Sequence, residues 1–86
     1  MSMRPLRERA PSAAWSTARI GAAVRVHRVN LELSRADLAE RLEVPVETVI
    51  AIEDGEYDPR LALAPRLEAA LDLAPGSIAA AGRSAA

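Results

Sequence analysis

The stretch SRADLAERLEVPVETVIAIEDG, residues 34–55, is where the architecture of this 86-residue chain is most directly legible. Ser34 followed by Asp37 gives the S-x-x-D spacing of a capping box, in which the hydroxyl satisfies an orphan N–H of the first helical turn. Leu38, Ala39 and Leu42 then fall on one apolar face, and the helix is expected to end near Leu42–Glu43. A turn of about three residues follows, containing Val44 and Pro45. Pro45 suits the first turn of the next helix, where its missing N–H costs nothing. That helix is expected over about Pro45–Glu53, with Val49 and Ile52 facing inward. Gly55 stops it, because glycine enters the left-handed region without a Cβ clash. The stretch therefore reads as two short helices joined by a tight turn.

Upstream, Ser16 or Thr17 is a candidate cap for a first helix over Ala18–Asn30. Ile20, Val24, His27 and Leu31 share one face of it by their spacing. His27, the single histidine, reads as a buried or half-buried structural residue rather than a ligand or base. Downstream, Glu56–Pro59 reads as a loop, followed by a fourth helix to about Asp72 with Leu67, Ala70 and Leu71 facing the core. Pro65 is tolerated there only in the first turn, since deeper in a helix it removes a hydrogen bond and costs about 3 kcal/mol. A short fifth helix is expected over Pro75–Ala81, anchored by Ile78. The resulting organisation is a flexible basic N-terminal arm (1–17), one all-α domain (18–81) and a frayed tail (82–86).

Composition narrows the function. Half of the residues are apolar, yet Trp15 and Tyr57 are the only aromatics, so the core must be built from Leu, Val, Ile and Ala. There is no cysteine for a disulfide or a thiolate metal site, and the acidic residues lack the ordered loop that binds calcium. One histidine and no glycine-rich phosphate loop leave nothing to run a reaction, so neither catalytic residues nor a metal or cofactor are expected. No apolar run approaches the roughly 18 residues that cross a bilayer, and the start lacks the apolar region of a secretory signal. A cytoplasmic protein without a membrane partner is the expectation.

The net charge of −1 is unevenly distributed. Arg4, Arg7 and Arg9 against Glu8 make the arm basic, whereas residues 19–82 carry seven arginines against eleven acids. Between Glu43 and Asp58 there are six acids and no base.

Taken together, Ile20-Gly21, Val24-Arg25 and Arg28, then Leu33-Ser34 and Asp37-Leu38-Ala39, then Val44, Thr48-Val49, Ala51-Ile52-Glu53 and Gly55, followed by Tyr57, Pro59 and Leu61, resemble the Cro/C1-type (XRE-like, lambda-repressor-like) helix-turn-helix family. The resemblance covers about Ile20–Ile78. It implies a compact five-helix all-α domain, often dimeric, that places its third helix in the major groove of double-stranded DNA and regulates transcription. On that pattern Val46, Glu47, Thr48, Ile50 and Ala51 stand where bases are read. Arg28, Arg35 and Arg60 stand where phosphates are touched, and Glu53 stands at a structural position. The basic arm would add charge in an adjacent minor groove.

The third helix departs from the family in its outward side chains, which are apolar or acidic where Gln, Arg, Ser or Asn are usual. Non-specific DNA affinity comes mainly from neutralising phosphates, and an acidic face opposes that. Glutamate nevertheless accepts from cytosine N4, and Val or Ala packs on a thymine methyl. Two functions follow: a sequence-specific DNA-binding regulator acting as a homodimer, or the same scaffold serving as a protein-interaction module. In the second case Val46, Ile50 and Ala51, rimmed by Glu43, Glu47 and Asp54, would dock a protein partner. The apolar run Leu73–Ala81 is the candidate dimer interface.

Overall fold

In the computed structural model, residues 16–83 are described; Arg4, Arg7, Arg9 and Trp15, like residues 84–86, lie outside the described residues. Local signals start and stop the helices. Ser16, in extended conformation, accepts a hydrogen bond from the backbone N–H of Arg19 and opens α1, Thr17–Asn30. Ser34 and Asp37 make the reciprocal capping box that opens α2, Arg35–Leu42. The third helix, α3, spans Val46–Glu53 and has Pro45 as its N-cap. Pro45 thus lies one step before the helix rather than inside it, its extended ψ of 151° closing the turn. A 3-10 turn over Pro59–Leu61 leads into α4, Ala64–Ala70, and α5 covers Ser77–Gly82. Pro65 falls in the first turn of α4, where no N–H is required of it. The described residues thus form five α-helices without a strand, an all-α fold. No helix among them is long and apolar enough to cross a membrane.

The core is aliphatic throughout. Ile20 and Val24 from α1, Leu38, Ala39 and Leu42 from α2, and Val49 and Ile52 from α3 pack with Leu63, Leu67, Leu71 and Ile78. Each large side chain so buried stabilises the fold by about 1.5–3 kcal/mol before entropy is counted. α3 is held between α1 and α2, and α4 and α5 close the remaining sides of those helices. The face of α1 runs out before its end: His27 is half-buried, as expected, but Leu31 is 38% exposed rather than packed. Leu31 is the C-cap of the helix and so stands outside its last turn.

Three helix exits use an acid instead of glycine. Glu32, Glu43 and Asp72 each sit at φ 60° just past α1, α2 and α4. The fifth helix starts at Ser77, after Gly76, and runs one residue further than expected. Gly82 is buried and its carbonyl accepts from the Ser16 N–H at 2.8 Å, so it belongs to the domain rather than to a tail. Ser16 and Thr17 belong to it too, since the Thr17 hydroxyl donates to the Gly55 carbonyl at 2.8 Å. Gly55 itself has φ 79°, the left-handed stop that ends α3. Glu68, buried on α4, accepts from the backbone N–H groups of Gly76 (3.1 Å) and Ile78 (3.0 Å) and so caps α5 from outside.

Gly21 sets the distance between α1 and α3. A Cβ at this position would lie 2.5 Å from the Ile52 carbonyl oxygen and 2.6 Å from that of Glu53. Both are backbone atoms, so no side chain can rotate away. Glycine inside a helix costs about 1 kcal/mol relative to alanine, and close approach of the two helices offsets that cost. Gly21→Ala is expected to reverse the usual preference and destabilise the protein by about 1–3 kcal/mol through overpacking. A lower midpoint in thermal or urea unfolding checks this; an unchanged or raised midpoint contradicts it.

Candidate nucleic-acid interface

α3 ends on Glu53, whose side chain has no solvent exposure. Arg28 of α1 meets it with two nitrogens, Nε to Oε2 at 2.6 Å and Nη2 to Oε1 at 3.2 Å. The third arm of the same guanidinium donates to the Leu33 carbonyl at 2.8 Å, in the connection between α1 and α2. Arg35, at the start of α2, adds Nε to Oε1 at 3.1 Å. Arg25 Nε stands 3.6 Å from the same oxygen. One carboxylate therefore ties α1, the α1–α2 connection, α2 and α3 together. Burial alone pushes the Glu53 carboxyl up, but hydrogen bonds and positive charge from Arg28 and Arg35 outweigh it and hold the group below the usual glutamate range. The Glu53 hydrogen bond in turn raises the Arg28 guanidinium.

The arginines expected at phosphates therefore differ in what they present. Arg28 is turned inward, with 11% of its side chain exposed, because its nitrogens are committed to Glu53 and Leu33. Arg35 is 42% exposed and engaged only through Nε, so its terminal nitrogens bond to nothing among the described residues. Arg60 lies apart, its guanidinium paired with Asp58 at 2.7 Å. Arg25, half-exposed beside Arg35, went unnoticed as a site residue in the sequence. Its signals there were its place in the family pattern, as Val24-Arg25, and a spacing of three from Arg28 on α1, which puts the two on neighbouring turns.

The residues expected at base edges are also unequal. Glu47 and Ile50 are exposed, whereas Thr48 and Ala51 are half-buried. Val46, expected to face outward, is half-buried and packs on the core from the first position of α3. Glu47, Thr48 and Ala51 form one wall of an open cleft of about 500 Å³. Val44, Tyr57, Ala62 and Leu63 supply further apolar lining, and Glu56 adds a second carboxylate. Of the six acids between Glu43 and Asp58, Glu53 and Asp58 are paired with arginines. Glu43, Glu47, Asp54 and Glu56 are exposed and form no ion pair with another described residue.

Two helices joined by a three-residue turn, the second held by its inner face and its last residue, define a helix-turn-helix protein. Residues 24–78 match the model of a helix-turn-helix family. The chain belongs to that family, in its Cro/C1-type branch, and is a transcriptional regulator with a DNA-binding domain. It is 48% identical over 48 residues to an uncharacterized HTH-type transcriptional regulator of Methanothermobacter thermautotrophicus, covering 56% of this chain and 70% of that one. A second such regulator, MJ0272 of Methanocaldococcus jannaschii, is 46% identical over 41 residues, covering 48% of this chain and 62% of the relative. Among solved structures, the restriction-modification controller protein C.AhdI from Aeromonas hydrophila superposes with a TM-score of 0.67 at 26% identity, over 72% of this chain and 94% of the other. The clp gene regulator ClgR from C. glutamicum shares the fold at a TM-score of 0.67 and 22% identity, over 76% of this chain and 84% of the other.

The Glu53 network has a measurable pH signature. A carboxylate whose folded pKa is depressed contributes stability that is full above its unfolded pKa, about 4.3, and is lost as pH falls through the folded value. Asp37 works in the same direction, because the Ser34 backbone N–H and then its hydroxyl hold that carboxyl low. Glu53→Gln is expected to cost about 3 kcal/mol at pH 7, since it leaves Arg28 buried without its counter-charge. The gap from the parent should narrow below about pH 4 as the parent's own Glu53 is protonated. Urea unfolding at a series of pH values checks this, and a gap that stays constant down to pH 2.5 contradicts it.

Proposed function

We propose that this regulator reads a specific DNA sequence by laying α3 in the major groove, with α2 crossing the backbone. The observation that carries the reading is the anchoring of α3 at Glu53, which leaves Glu47 and Ile50 in solvent at the other end and on the outer face. A probe helix fixed in this way enters the groove with little left to order, which lowers the cost of binding. Arg35 and Arg25 supply phosphate contacts beside the anchor, Arg60 supplies another from the loop, and Arg28 positions the first two through Glu53. Glu47 accepts from a cytosine N4, Thr48 adds a hydroxyl, and Ile50 and Ala51 meet thymine methyls, with Val46 at the margin. Arg4, Arg7 and Arg9 extend into an adjacent minor groove.

The protein acts as a homodimer on a two-fold operator, whose half-sites would be about 34–36 Å apart. Ile78 is used in the core, so the C-terminal run offers a partner Leu73 and the alanines around it. The regulator descriptions of the two archaeal relatives support this reading, as does the controller function named for C.AhdI.

Selection from random duplex DNA at low salt tests it. One sequence should be enriched, and its affinity should fall steeply with salt as counterions are released. Arg35→Ala should weaken binding to all sequences alike and reduce the salt slope by about one. Glu47→Ala should instead relax the preference at one base pair, worth about 1–3 kcal/mol of discrimination. Thermal unfolding of both variants separates these effects from loss of fold. No enrichment, or Glu47→Ala selecting the parent sequence unchanged, would sink the proposal.

A further inference from the structure

We propose that the basic N-terminal segment, residues 4–9, docks in the free protein into the cleft beside α3 and covers the face that DNA would otherwise meet. The argument begins with where that segment enters the fold. Ser16 and Thr17 lie beside the end of α3, the Thr17 hydroxyl bonding the Gly55 carbonyl at 2.8 Å. Glu56 and Tyr57, the next two residues after Gly55, already line the cleft. The chain therefore enters the described fold at Ser16, beside the cleft. At about 3.3–3.6 Å per extended residue, fifteen residues are long enough to span it.

Charge and polarity favour this site. The segment carries Arg4, Arg7 and Arg9 against Glu8, with Pro5 and Leu6 between the first two arginines. The cleft presents Glu47 and Glu56 beside apolar lining from Val44, Ala51 and Leu63. Glu43 and Asp54 add two further exposed carboxylates with no ion-pair partner among the described residues. The carboxylate of Glu53, by contrast, is surrounded by three arginines, which would repel a basic segment. Leu6 on the apolar lining and arginines at the two carboxylates would match both features of the cleft. DNA phosphates and the cleft would then compete for the same arginines, so the segment masks Glu47, Thr48 and Ala51 until a duplex displaces it.

The contact needs no DNA, so its test is independent of the DNA reading. The chain has no cysteine, and Ala10→Cys takes a single nitroxide label six residues before Ser16. Amide signals of the full-length protein are then recorded at low salt. The expected result is selective broadening at Glu47, Thr48, Ala51 and Tyr57. It should fall about threefold or more in 1 M salt, where the Debye length is about 3 Å. The double variant Glu47→Gln, Glu56→Gln keeps the same tether and should show the same loss at low salt. Broadening confined to Ser16–Ile20 and Gly55 would overturn the proposal, as would broadening that the double variant leaves intact. So would broadening that appears when labelled protein is mixed with unlabelled, isotope-enriched protein, which would place the segment on a second copy.

Discussion

A carboxylate without solvent exposure must be matched by charge or it will not remain ionised. In this protein that group is Glu53, and the match comes from Arg28 on α1 and Arg35 on α2, with Arg25 nearby. The consequence is mechanical as much as electrostatic. Aliphatic side chains packed face to face tolerate small rotations, since dispersion has little directional preference. The two-pronged Arg28–Glu53 contact does not, because its two hydrogen bonds fix the guanidinium and carboxylate planes together. Leu33, bonded by the third nitrogen, brings the α1–α2 connection into the same frame.

The backbone supplies the complementary constraint. Gly21 lets α1 approach to van der Waals contact with the last carbonyls of α3, one turn before Arg25 and two turns before Arg28. Without that approach the Arg28 side chain would have to reach further to meet Glu53. Arginines also join α2 to α4: Arg66 donates to the Leu42 carbonyl at 3.1 Å, and Arg41 to that of Ala70 at 3.2 Å. Carbonyls at the ends of both helices, which have no partner within the helix, are thus satisfied by side chains of the other. The helix pair of the motif is in this way tied on both sides.

What was legible in the sequence follows from the range of each interaction. The Ser34–Asp37 box, the inward pair Val49 and Ile52, the Gly55 stop and the placement of Pro65 are local, and each is set within a turn or two of chain. The family pattern added the order of the helices and the structural character of Glu53. Features that depend on partners far apart in sequence were hidden. Arg28 and Glu53 are 25 positions apart, and nothing in either residue says that one will be turned inward by the other. The same applies to Glu68, which caps a helix eight to ten residues away, and to Val46, whose position on α3 looked outward until packing drew it in. Glu32, Glu43 and Asp72 were hidden for another reason: an acid at a left-handed helix exit carries no composition signal.

These pairings change the meaning of the acidic run around α3. Counted along the chain, it opposes DNA with six negative charges. In the fold, Glu53 is outnumbered by its arginines, and Asp58 is held by Arg60. Around the Glu53 carboxylate itself the charge is therefore positive, and Arg25 and Arg35 are the half-exposed members of that cluster. The exposed carboxylates Glu43 and Glu47 belong to the opposite end, by the turn and the cleft, with Asp54 and Glu56 just past the helix. Charge is thus patterned across the motif rather than uniformly repulsive. On the proposed reading, such a surface would gain little from phosphate attraction in general and much from one register, in which arginines would meet phosphates and Glu47 a donor on a base. Low non-specific affinity with a demanding register would favour discrimination over strength, because the wrong alignment would bring carboxylates against phosphates.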